Sequence, residues 1–415
     1  MCSCEAIKIM KQFIIILGVL ILSACSSPLI ITKRNIELYK IQENGKIGYI
    51  DQKGKTRIES KYLLNNNSNT SSECTVDFNS KSFAIVKQIG GYTLIDWKGN
   101  HTTTSVFEEL IRESDSTFVA QRNGKFGLIN YDGENLIPFI FDSQYFIDKN
   151  RLFTAEIDSK PVIYDPQNGT ITEMPFDDIA PFLRGFAEVE SNDKVGLINK
   201  ELELVFDTAY QKLGQFSSNL INVKISDRWF FLNNRGLAVF DSSFERASSF
   251  ESGIATVKNG KYGAIDTLGN TVVPFEYEYL RFEGKSNGGD QIFMFCDQED
   301  YFFYGAKCGL INQKGDTLLR AEYSDLFYFS DIVEATTNEG EKAGVIDLKK
   351  GKIIIPFNFD QTEYYDDGLS ILYFSSDEGT EYYGYVNKKN KIIWSNNREL
   401  LKEKLKTKPK KTYKQ

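Results

Sequence analysis

The chain has 415 residues, of which 41% are hydrophobic and 13% aromatic, and its formal net charge is −8. The last fifteen residues contain seven lysines and one glutamate, so the rest of the chain carries a net charge of −14. An acidic body of this kind argues against nucleic-acid binding. The length alone would allow two or three ordinary domains, but an internal repeat would override that expectation.

The N-terminal segment has the pattern of an export signal. Lys11 opens a short basic region, residues 13–21 form an apolar core too short to span a membrane, and residues 22–25 read Leu-Ser-Ala-Cys. These four residues resemble a bacterial lipobox, in which cleavage exposes Cys25 for lipidation. An ordinary signal peptide and a buried apolar strand are the alternatives.

The lipobox interpretation divides the N-terminal region in two. We expect a lipoprotein signal peptide at residues 1–24 and a lipidated tether at 25–37. Residues 1–9 are an unused extension if translation starts at Met10. By resemblance to Gram-negative lipoproteins, Ser26 after the cysteine implies anchoring in the outer membrane, with the protein facing either the periplasm or the cell surface.

A ten-residue phrase, Gly-Lys-x-Gly-x-Ile-Asp/Asn-x-x-Gly, recurs along the rest of the chain. Its clearest copies span residues 45–54, 124–133 and 260–269. The spacing of its Asp/Asn position is close to 34 residues, with three longer steps that indicate loop insertions. A fixed period of this length indicates stacked supersecondary units, and we place about ten of them at residues 38–398. The Asp/Asn position falls at Asp51, Asp96, Asn130, Tyr164, Asn199, Asn233, Asp266, Asn312, Asp347 and Asn387.

Each unit is predicted to contain three short strands, because apolar and polar residues alternate before, within and after the phrase. The Asp/Asn residue is expected to open a type I turn, and the glycine three residues later, as in Asp266 and Gly269, to supply a positive φ. Asn199 is followed by Leu202 in place of glycine, so that turn is expected to differ. The inner glycine of the phrase indicates a bulge or the close approach of a neighbouring strand.

The phrase and the Ile-Pro-Phe-like segment after it resemble the bacterial WG (or KWG) β-repeat proteins. The resemblance covers roughly residues 38–395, but the tryptophan that the family places before the inner glycine is absent from every copy, and Trp229 precedes Phe230. It implies a non-enzymatic β-repeat protein and brings no catalytic residues. We therefore predict an all-β fold of tandem antiparallel β-hairpin repeats in a curved, solenoid-like array, with a β-propeller as the alternative.

Departures from the repeat are where a binding site is expected, because insertions and irregular units carry function in repeat proteins. These departures are Tyr164, Trp229 and the insertions after Leu63 and Phe282. The second insertion leads to a candidate ligand-contact loop that is both acidic and aromatic, although its aromatic side chains can equally cover the edge of the core. The loop residues are Asp297, Glu299, Tyr301, Phe303 and Tyr304.

Cysteine usage suits an exported protein. Cys296 and Cys308 flank the candidate loop and can form a disulfide across a hairpin in an oxidising compartment. They can also be buried free thiols, since Cys308 takes the place of large core residues in other copies. The Cys2-x-Cys4 pair has no accompanying histidine cluster, so no metal site is predicted.

The sequence offers no catalytic constellation. The single histidine, His101, follows a predicted turn, and no nucleophile-elbow, Walker or dinucleotide-binding phrase is present. Three acidic pairs could serve a glycosidase, but no spacing distinguishes one of them. No catalytic residues and no cofactor are therefore predicted. The three pairs are at residues 108–109, 177–178 and 366–367.

These observations favour a non-catalytic envelope lipoprotein that is anchored to the membrane by its N-terminal lipid and uses its β-repeat array for binding or as a scaffold. A protein or glycan partner in the envelope is expected. The alternatives are a carbohydrate-active enzyme that uses loop carboxylates and a purely structural envelope protein. The lysine-rich residues 399–415 are expected to be a disordered tail, with contact to anionic lipid or cell-wall polymer as the alternative.

Overall fold

The structure is a computed structural model that describes residues 38–64, 83–143, 152–299, 305–337, 341–365 and 368–406. The predicted signal peptide, the lipidation residue Cys25 and the tether lie outside the described residues. Contacts divide the chain into two compact units. The first comprises Met1–Asp51, Lys55–Gln121 and Ile129–Asn135, and the second comprises Gln52–Gly54, Arg122–Leu128 and Leu136–Gln415.

The described residues form an all-β array, as predicted, in which every strand pairing is antiparallel. In the first half of the chain the strands are β1 (Leu38–Glu43), β2 (Lys46–Asp51), β3 (Thr56–Leu63), β4 (Phe83–Gln88), β5 (Gly91–Asp96), β6 (Glu109–Arg112), β7 (Thr117–Arg122), β8 (Lys125–Asn130), β9 (Asn135–Phe141), β10 (Phe153–Ile157), β11 (Lys160–Asp165), β12 (Thr170–Glu173), β13 (Asp178–Ile179), β14 (Phe186–Ser191), β15 (Lys194–Asn199) and β16 (Leu204–Tyr210).

The second half continues the same succession of strands and ends in a single described helix. Its elements are β17 (Lys212–Leu213), β18 (Leu220–Ile225), β19 (Arg228–Asn233), β20 (Arg246–Ala247), β21 (Ile254–Asn259), β22 (Lys261–Asp266), β23 (Thr271–Tyr277), β24 (Tyr279–Lys285), β25 (Gln291–Cys296), β26 (Cys308–Asn312), β27 (Thr317–Phe329), β28 (Ile332–Thr337), β29 (Ala343–Asp347), β30 (Lys352–Phe359), β31 (Gln361–Glu363), β32 (Leu369–Ser375), β33 (Glu381–Asn387), β34 (Ile392–Ser395) and α1 (Arg398–Lys406).

Ten hairpins built on the repeated phrase are visible in the described residues, and we number the repeats by them. In each hairpin the first strand of a repeat pairs with the strand that carries the phrase. A third strand follows the phrase in most repeats, and a short entry strand leads into the next first strand. The hairpins of repeats 1 to 10 are β1–β2, β4–β5, β7–β8, β10–β11, β14–β15, β18–β19, β21–β22, β25–β26, β28–β29 and β32–β33.

The strands belong to eight small sheets. They are β1–β5, β6–β9, β10–β12, β13–β16, β17–β19, β20–β23, β24–β30 and β31–β34. In the clusters of the described residues, one face of a repeat packs against the opposite face of the next. Phe293 of repeat 8 joins the cluster of Ala264 in repeat 7, and Met294 of repeat 8 joins the cluster of Val333 in repeat 9. The core is therefore a series of apolar layers between repeats, which is how a chain of units too small to fold alone is stabilised.

The Asp/Asn residues of the phrase make the turns that the sequence predicts. In repeat 7 the Oδ1 atom of Asp266 accepts hydrogen bonds from the backbone N–H groups of Leu268 and Asn270, at 2.9 Å each. Gly269 donates its N–H to the Asp266 carbonyl at 3.0 Å and has φ of 84°. These side chains are therefore committed to the backbone of the turn.

The expectation that the turn after Asn199 differs is wrong. Leu202 adopts φ of 63°, and its N–H donates to the Asn199 carbonyl at 3.1 Å, as the glycine does in the other repeats. The Asn199 side chain still accepts a hydrogen bond from the Glu203 N–H at 2.8 Å. These bonds outweigh the cost of about 1–2 kcal/mol for a left-handed conformation at a residue other than glycine.

The inner glycine permits the third strand to approach closely. An added Cβ at Gly309 would lie 2.4 Å from the Leu319 carbonyl oxygen, a distance that no real Cβ tolerates. The register of the third strand shifts at this point, between Cys308 and Leu310, as the bulge predicted from the sequence requires. A larger residue at this position must therefore keep the third strand away.

Residues 399–406 are not part of a disordered tail, which corrects the sequence interpretation of residues 399–415. They belong to α1, which begins after Asn397, whose side-chain oxygen accepts a hydrogen bond from the Leu400 N–H at 3.2 Å. Leu401 is fully buried against the last repeat together with Leu400 and Leu405. The sequence interpretation overlooked this apolar stripe because the segment is rich in lysine. Residues 407–415 lie outside the described part of the chain.

Among the described residues, no helix is long and apolar enough to cross a membrane.

Candidate functional site

Cys296 and Cys308 form a disulfide, the pairing that the sequence left open. They lie directly opposite each other on β25 and β26, with their Cα atoms 4.1 Å apart. Both are almost fully buried. The disulfide thereby closes the base of the loop that carries the candidate ligand-contact residues.

The two described residues of the candidate loop, Asp297 and Glu299, make different contacts. Asp297 is exposed and accepts a hydrogen bond from the Lys307 N–H at 2.7 Å, so it holds the loop together. Glu299 instead extends to the preceding repeat, where its Oε2 lies 2.7 Å from Lys258 Nζ and its Oε1 lies 3.5 Å from Arg246 Nε. Tyr301, Phe303 and Tyr304 lie outside the described residues.

The contact made by Glu299 closes one side of a cleft around Trp229. In repeat 6 the position of the inner glycine is occupied by Phe230, which pairs with Val223 just as Gly263 pairs with Val257 in repeat 7. A side chain at this position is incompatible with the close approach of a third strand, since an added Cβ at Gly263 of repeat 7 would lie 2.9 Å from the Val273 carbonyl oxygen. In repeat 6 the contacts after the phrase are only the isolated bridges of Leu232 with Ala238 and of Trp229 with Phe244.

Trp229 is therefore half-buried, on the edge of a cleft of about 380 Å³. One side of its ring packs against the core cluster that contains Phe231 and Phe244. The cleft has a polar lining of four basic and two acidic side chains, contributed by repeats 6, 7 and 8. They are Lys212, Lys224, Arg246 and Lys258, with Glu245 and Glu299.

The basic side chains of the cleft form two like-charged pairs across adjacent strands. Lys212 lies directly opposite Lys224, and Arg246 lies directly opposite Lys258. Like charges at directly opposed positions of an antiparallel pair destabilise the sheet. Two such pairs in consecutive repeats concentrate positive charge at the cleft, although the protein as a whole is acidic.

Carboxylates from within the chain balance part of this charge. Lys258 Nζ lies 2.7 Å from Glu299 and 3.6 Å from Glu245, and Lys224 Nζ lies 2.9 Å from Asp227. The Gly260 N–H donates to Glu245 at 2.8 Å and lowers the pKa of that carboxyl, and the Lys258 charge lowers it further. Among the described residues Lys212 makes no ion pair.

Of the other candidate residues, Tyr164 lies in the core and His101 lies at the surface. Tyr164 is buried and packs edge-on against Phe141, with ring centroids 5.6 Å apart. The segment after Leu63 lies outside the described residues. His101 is exposed in its turn, where its Nδ1 lies 3.4 Å from Thr93 Oγ1. It therefore contacts a threonine hydroxyl and the edge of a tyrosine ring rather than a carboxylate.

Of the acidic pairs, the one at residues 177–178 has a structural role. An oxygen of Asp177 accepts the Asn192 N–H at 2.8 Å, and Asp178 accepts the N–H of Ile179 at 2.8 Å. Residues 366–367 lie outside the described part of the chain. No group of three or more metal-ligating side chains is found among the described residues.

The basic residues of the cleft were missed by the sequence interpretation, although a signal for them exists. Lys212 and Arg246 are 34 residues apart, and so are Lys224 and Lys258. Each pair thus occupies one register position in two consecutive repeats. A search for charged residues that recur every 34 residues would have found them, whereas a search for known motifs would not.

The fold and the cleft define a β-repeat protein that is built from tandem antiparallel hairpins and carries a polar cleft at its most irregular repeat. Comparison with protein-family models matches four segments to the family described as WG containing repeat, at residues 126–160, 196–229, 262–286 and 344–372. The chain thus contains WG repeats in four places. No curated protein sequence matches it.

Solved structures similar to this chain are remote in sequence. Dipeptidyl peptidase 4 of Porphyromonas gingivalis is 9% identical with a TM-score of 0.41, over 84% of this chain and 63% of that one. A eukaryotic initiation factor is 13% identical with a TM-score of 0.34, over 68% of this chain and 96% of that one. Hsv2 of Kluyveromyces lactis is 11% identical with a TM-score of 0.33, over 61% and 97% of the two chains. No property of these proteins is transferred to this chain.

Proposed function

We propose that the protein is a non-catalytic binding module of the cell envelope, anchored by a lipid on Cys25, and that it binds its ligand in the cleft around Trp229. The observation that carries the proposal is the replacement of the inner glycine by Phe230. The phrase of repeat 6 is followed by isolated bridges in place of a regular third strand, as in repeat 2, but at repeat 6 two like-charged pairs and a half-buried tryptophan lie beside this irregularity.

The chemistry of the cleft supports binding. The cleft offers one aromatic side chain beside six charged ones, which suits a polar or charged ligand, and its volume of about 380 Å³ is within the usual range for small-molecule sites. The ion pairs in the cleft are partly exposed, so water screens their attraction and each pair is weak. Such pairs can open for a ligand at little cost.

An envelope location is supported by two independent features of the chain. The N-terminal segment has the basic, apolar and small-residue order of an export signal, ending at Cys25. The Cys296–Cys308 disulfide suits an oxidising compartment, since cytosolic thiols are kept reduced.

The carbohydrate-active enzyme is the weaker candidate. The two carboxylates of the cleft, Glu245 and Glu299, both contact Lys258. A glycosidase needs a general acid that is protonated near neutral pH, which requires a raised pKa. The pKa of Glu245 is lowered instead, by the Gly260 N–H and Lys258.

The binding proposal is tested by capturing envelope material on the purified protein. Replacing Trp229 with alanine is expected to abolish the capture of the ligand. The matched control is Trp97→Ala, which removes a tryptophan that is 39% exposed on a turn of repeat 2. Since Trp229 also packs on the core, the double change Arg246→Gln and Lys258→Gln provides a second variant that leaves the apolar contacts intact. Capture that survives both cleft variants would overturn the proposal.

The anchoring proposal is tested by fractionating cells that express Cys25→Ser, with Cys74→Ser as the control. The wild-type protein and the control are expected in the membrane fraction and to incorporate labelled fatty acid. The Cys25 variant is expected to lose both properties, and its retention in the membrane without label would contradict lipid anchoring.

A further inference from the structure

Glu299 occupies the cleft with a carboxylate that belongs to the chain itself. It comes from the loop closed by the Cys296–Cys308 disulfide, in the repeat after the one that it contacts. Its two oxygens lie 2.7 Å from Lys258 Nζ and 3.5 Å from Arg246 Nε. Glu299 therefore shows where a carboxylate fits between these two cations.

This internal ion pair is easily displaced. The side chains of Glu299 and Arg246 are 37% and 65% exposed, so water screens their attraction. When Glu299 leaves, Glu245 beside Lys258 and Asp227 beside Lys224 remain to balance four basic side chains. The vacated position then attracts an anionic group more strongly than the closed cleft does.

The charge at the register positions of the two like-charged pairs changes sign once, between repeats 5 and 6. In repeat 5 the same register positions hold Asp178 opposite Glu190, whereas in repeats 6 and 7 they hold only basic residues. Grouping the cations costs sheet stability, and an anionic ligand that spans repeats 6 and 7 would offset that cost.

The backbone around the cleft cannot accept an extended peptide as an added strand. The Trp229 N–H and carbonyl are both bonded to Phe244, at 2.8 and 2.9 Å. The carbonyls of Lys224 and Lys258 accept the N–H groups of Gln211 and Glu245, at 2.9 Å each. A peptide would lose the main-chain hydrogen bonds that give strand addition its affinity. A sugar ring needs no such bonds, because it has an apolar face to lay on Trp229 and hydroxyl groups for the surrounding charges.

We infer that the cleft binds an acidic oligosaccharide, with the sugar ring on Trp229 and a carboxylate that replaces Glu299 between Lys258 and Arg246. This inference rests on the proposed binding function and specifies the ligand class of the same site. Glu299 acts as an internal competitor that keeps the cleft closed to weakly charged ligands. Neutral sugars lack the group that displaces it.

The test is isothermal titration of the full-length chain with three probes of similar size: oligogalacturonates, the same oligomers after reduction of their carboxyl groups, and oligoglutamate. We expect binding of the acidic sugar alone, weakened by added salt as charge pairing requires. Arg246→Gln combined with Lys258→Gln should abolish it. Glu299→Gln should tighten it by about two- to fivefold, the factor that corresponds to an exposed ion pair.

The matched control is Glu322→Gln, at an exposed carboxyl outside the cleft, which should leave the affinity unchanged. Equal binding of the reduced sugar, preference for oligoglutamate, or weaker binding by Glu299→Gln would each overturn the inference. If no sugar binds while capture of envelope material still depends on Trp229, the ligand class is wrong and the binding function stands. If the acidic sugar binds through the cleft but envelope capture does not depend on Trp229, the ligand class is right and the proposed binding function is wrong.

Discussion

The carboxyl of Glu334 makes the stability of repeats 9 and 10 dependent on pH. Glu334 lies on β28, and its oxygens accept hydrogen bonds from the Tyr364 N–H at 2.7 Å and from Thr362 Oγ1 at 3.1 Å, both in repeat 10. Burial between the repeats raises the pKa of Glu334 to about 7, against these two hydrogen bonds and with a smaller contribution from Glu363. We therefore consider the change Glu334→Gln, which removes the charge and keeps the shape and the acceptor oxygen.

The sign and size of the effect follow from this raised pKa. The unfolded chain ionises this carboxyl near its ordinary value of 4.5, whereas the folded protein holds the proton until about pH 7. Stability therefore falls as the pH rises from 4.5 to 7, and it is constant above that range with respect to this group. A difference of two to three pH units corresponds to about 3 kcal/mol.

We expect Glu334→Gln to match the wild-type protein at pH 4.5 and to exceed its free energy of unfolding by about 3 kcal/mol at pH 8. The assay is urea unfolding followed by circular dichroism at half-unit steps between these two pH values. The control is Glu322→Gln, at an exposed carboxyl on β27. Its free energy of unfolding should change with pH in parallel with that of the wild-type protein. A variant that is less stable than wild type at pH 8, or a difference that does not grow with pH, would refute the reasoning.

Three further changes test the local physics of the repeats by the same unfolding assay. Gly309→Ala should destabilise by about 1–3 kcal/mol because its Cβ would lie 2.4 Å from the Leu319 carbonyl oxygen; an unchanged midpoint would show that the third strand can retreat freely. Leu202→Asn should stabilise by up to about 1 kcal/mol because asparagine tolerates φ of 63°; a lower midpoint would show that the packing of Leu202 against its core cluster contributes more than its backbone conformation. Replacing Cys296 and Cys308 together by alanine should cost about 3 kcal/mol, the usual value for a closed loop of this length, and equal stability would exclude the disulfide in solution.

Much of the fold could be predicted from the sequence because its determinants are local. A turn opened by Asp266 and completed by Gly269 depends on residues only three apart, and the recurrence of the phrase indicates that the same turn is built many times. The same local reasoning failed at Leu202, where the hydrogen bonds of the turn override the preference of the residue. It also failed at Leu401, because the apolar stripe of α1 is buried only when the helix packs against the last repeat.

The candidate site was predictable only in part. Trp229 could be named because Phe230 breaks the repeated phrase, and Glu299 because its loop interrupts the period. The convergence of Trp229 and Glu299 could not be predicted, since residues 70 positions apart in sequence meet only when repeats 6, 7 and 8 stack. Lys258, which contacts Glu299, was not singled out from the sequence.

The sequence by itself determined the repeat, its strands, its turns and the positions where it is broken, because each depends on hydrogen bonds and sterics within a few residues. The tertiary structure decided which broken repeat opens a cleft, which charges face it, and that a carboxylate from the following repeat occupies it. Those outcomes depend on how one sheet packs against the next. Packing of this kind is set by side-chain volume and register across repeats, and no single copy of the phrase contains that information.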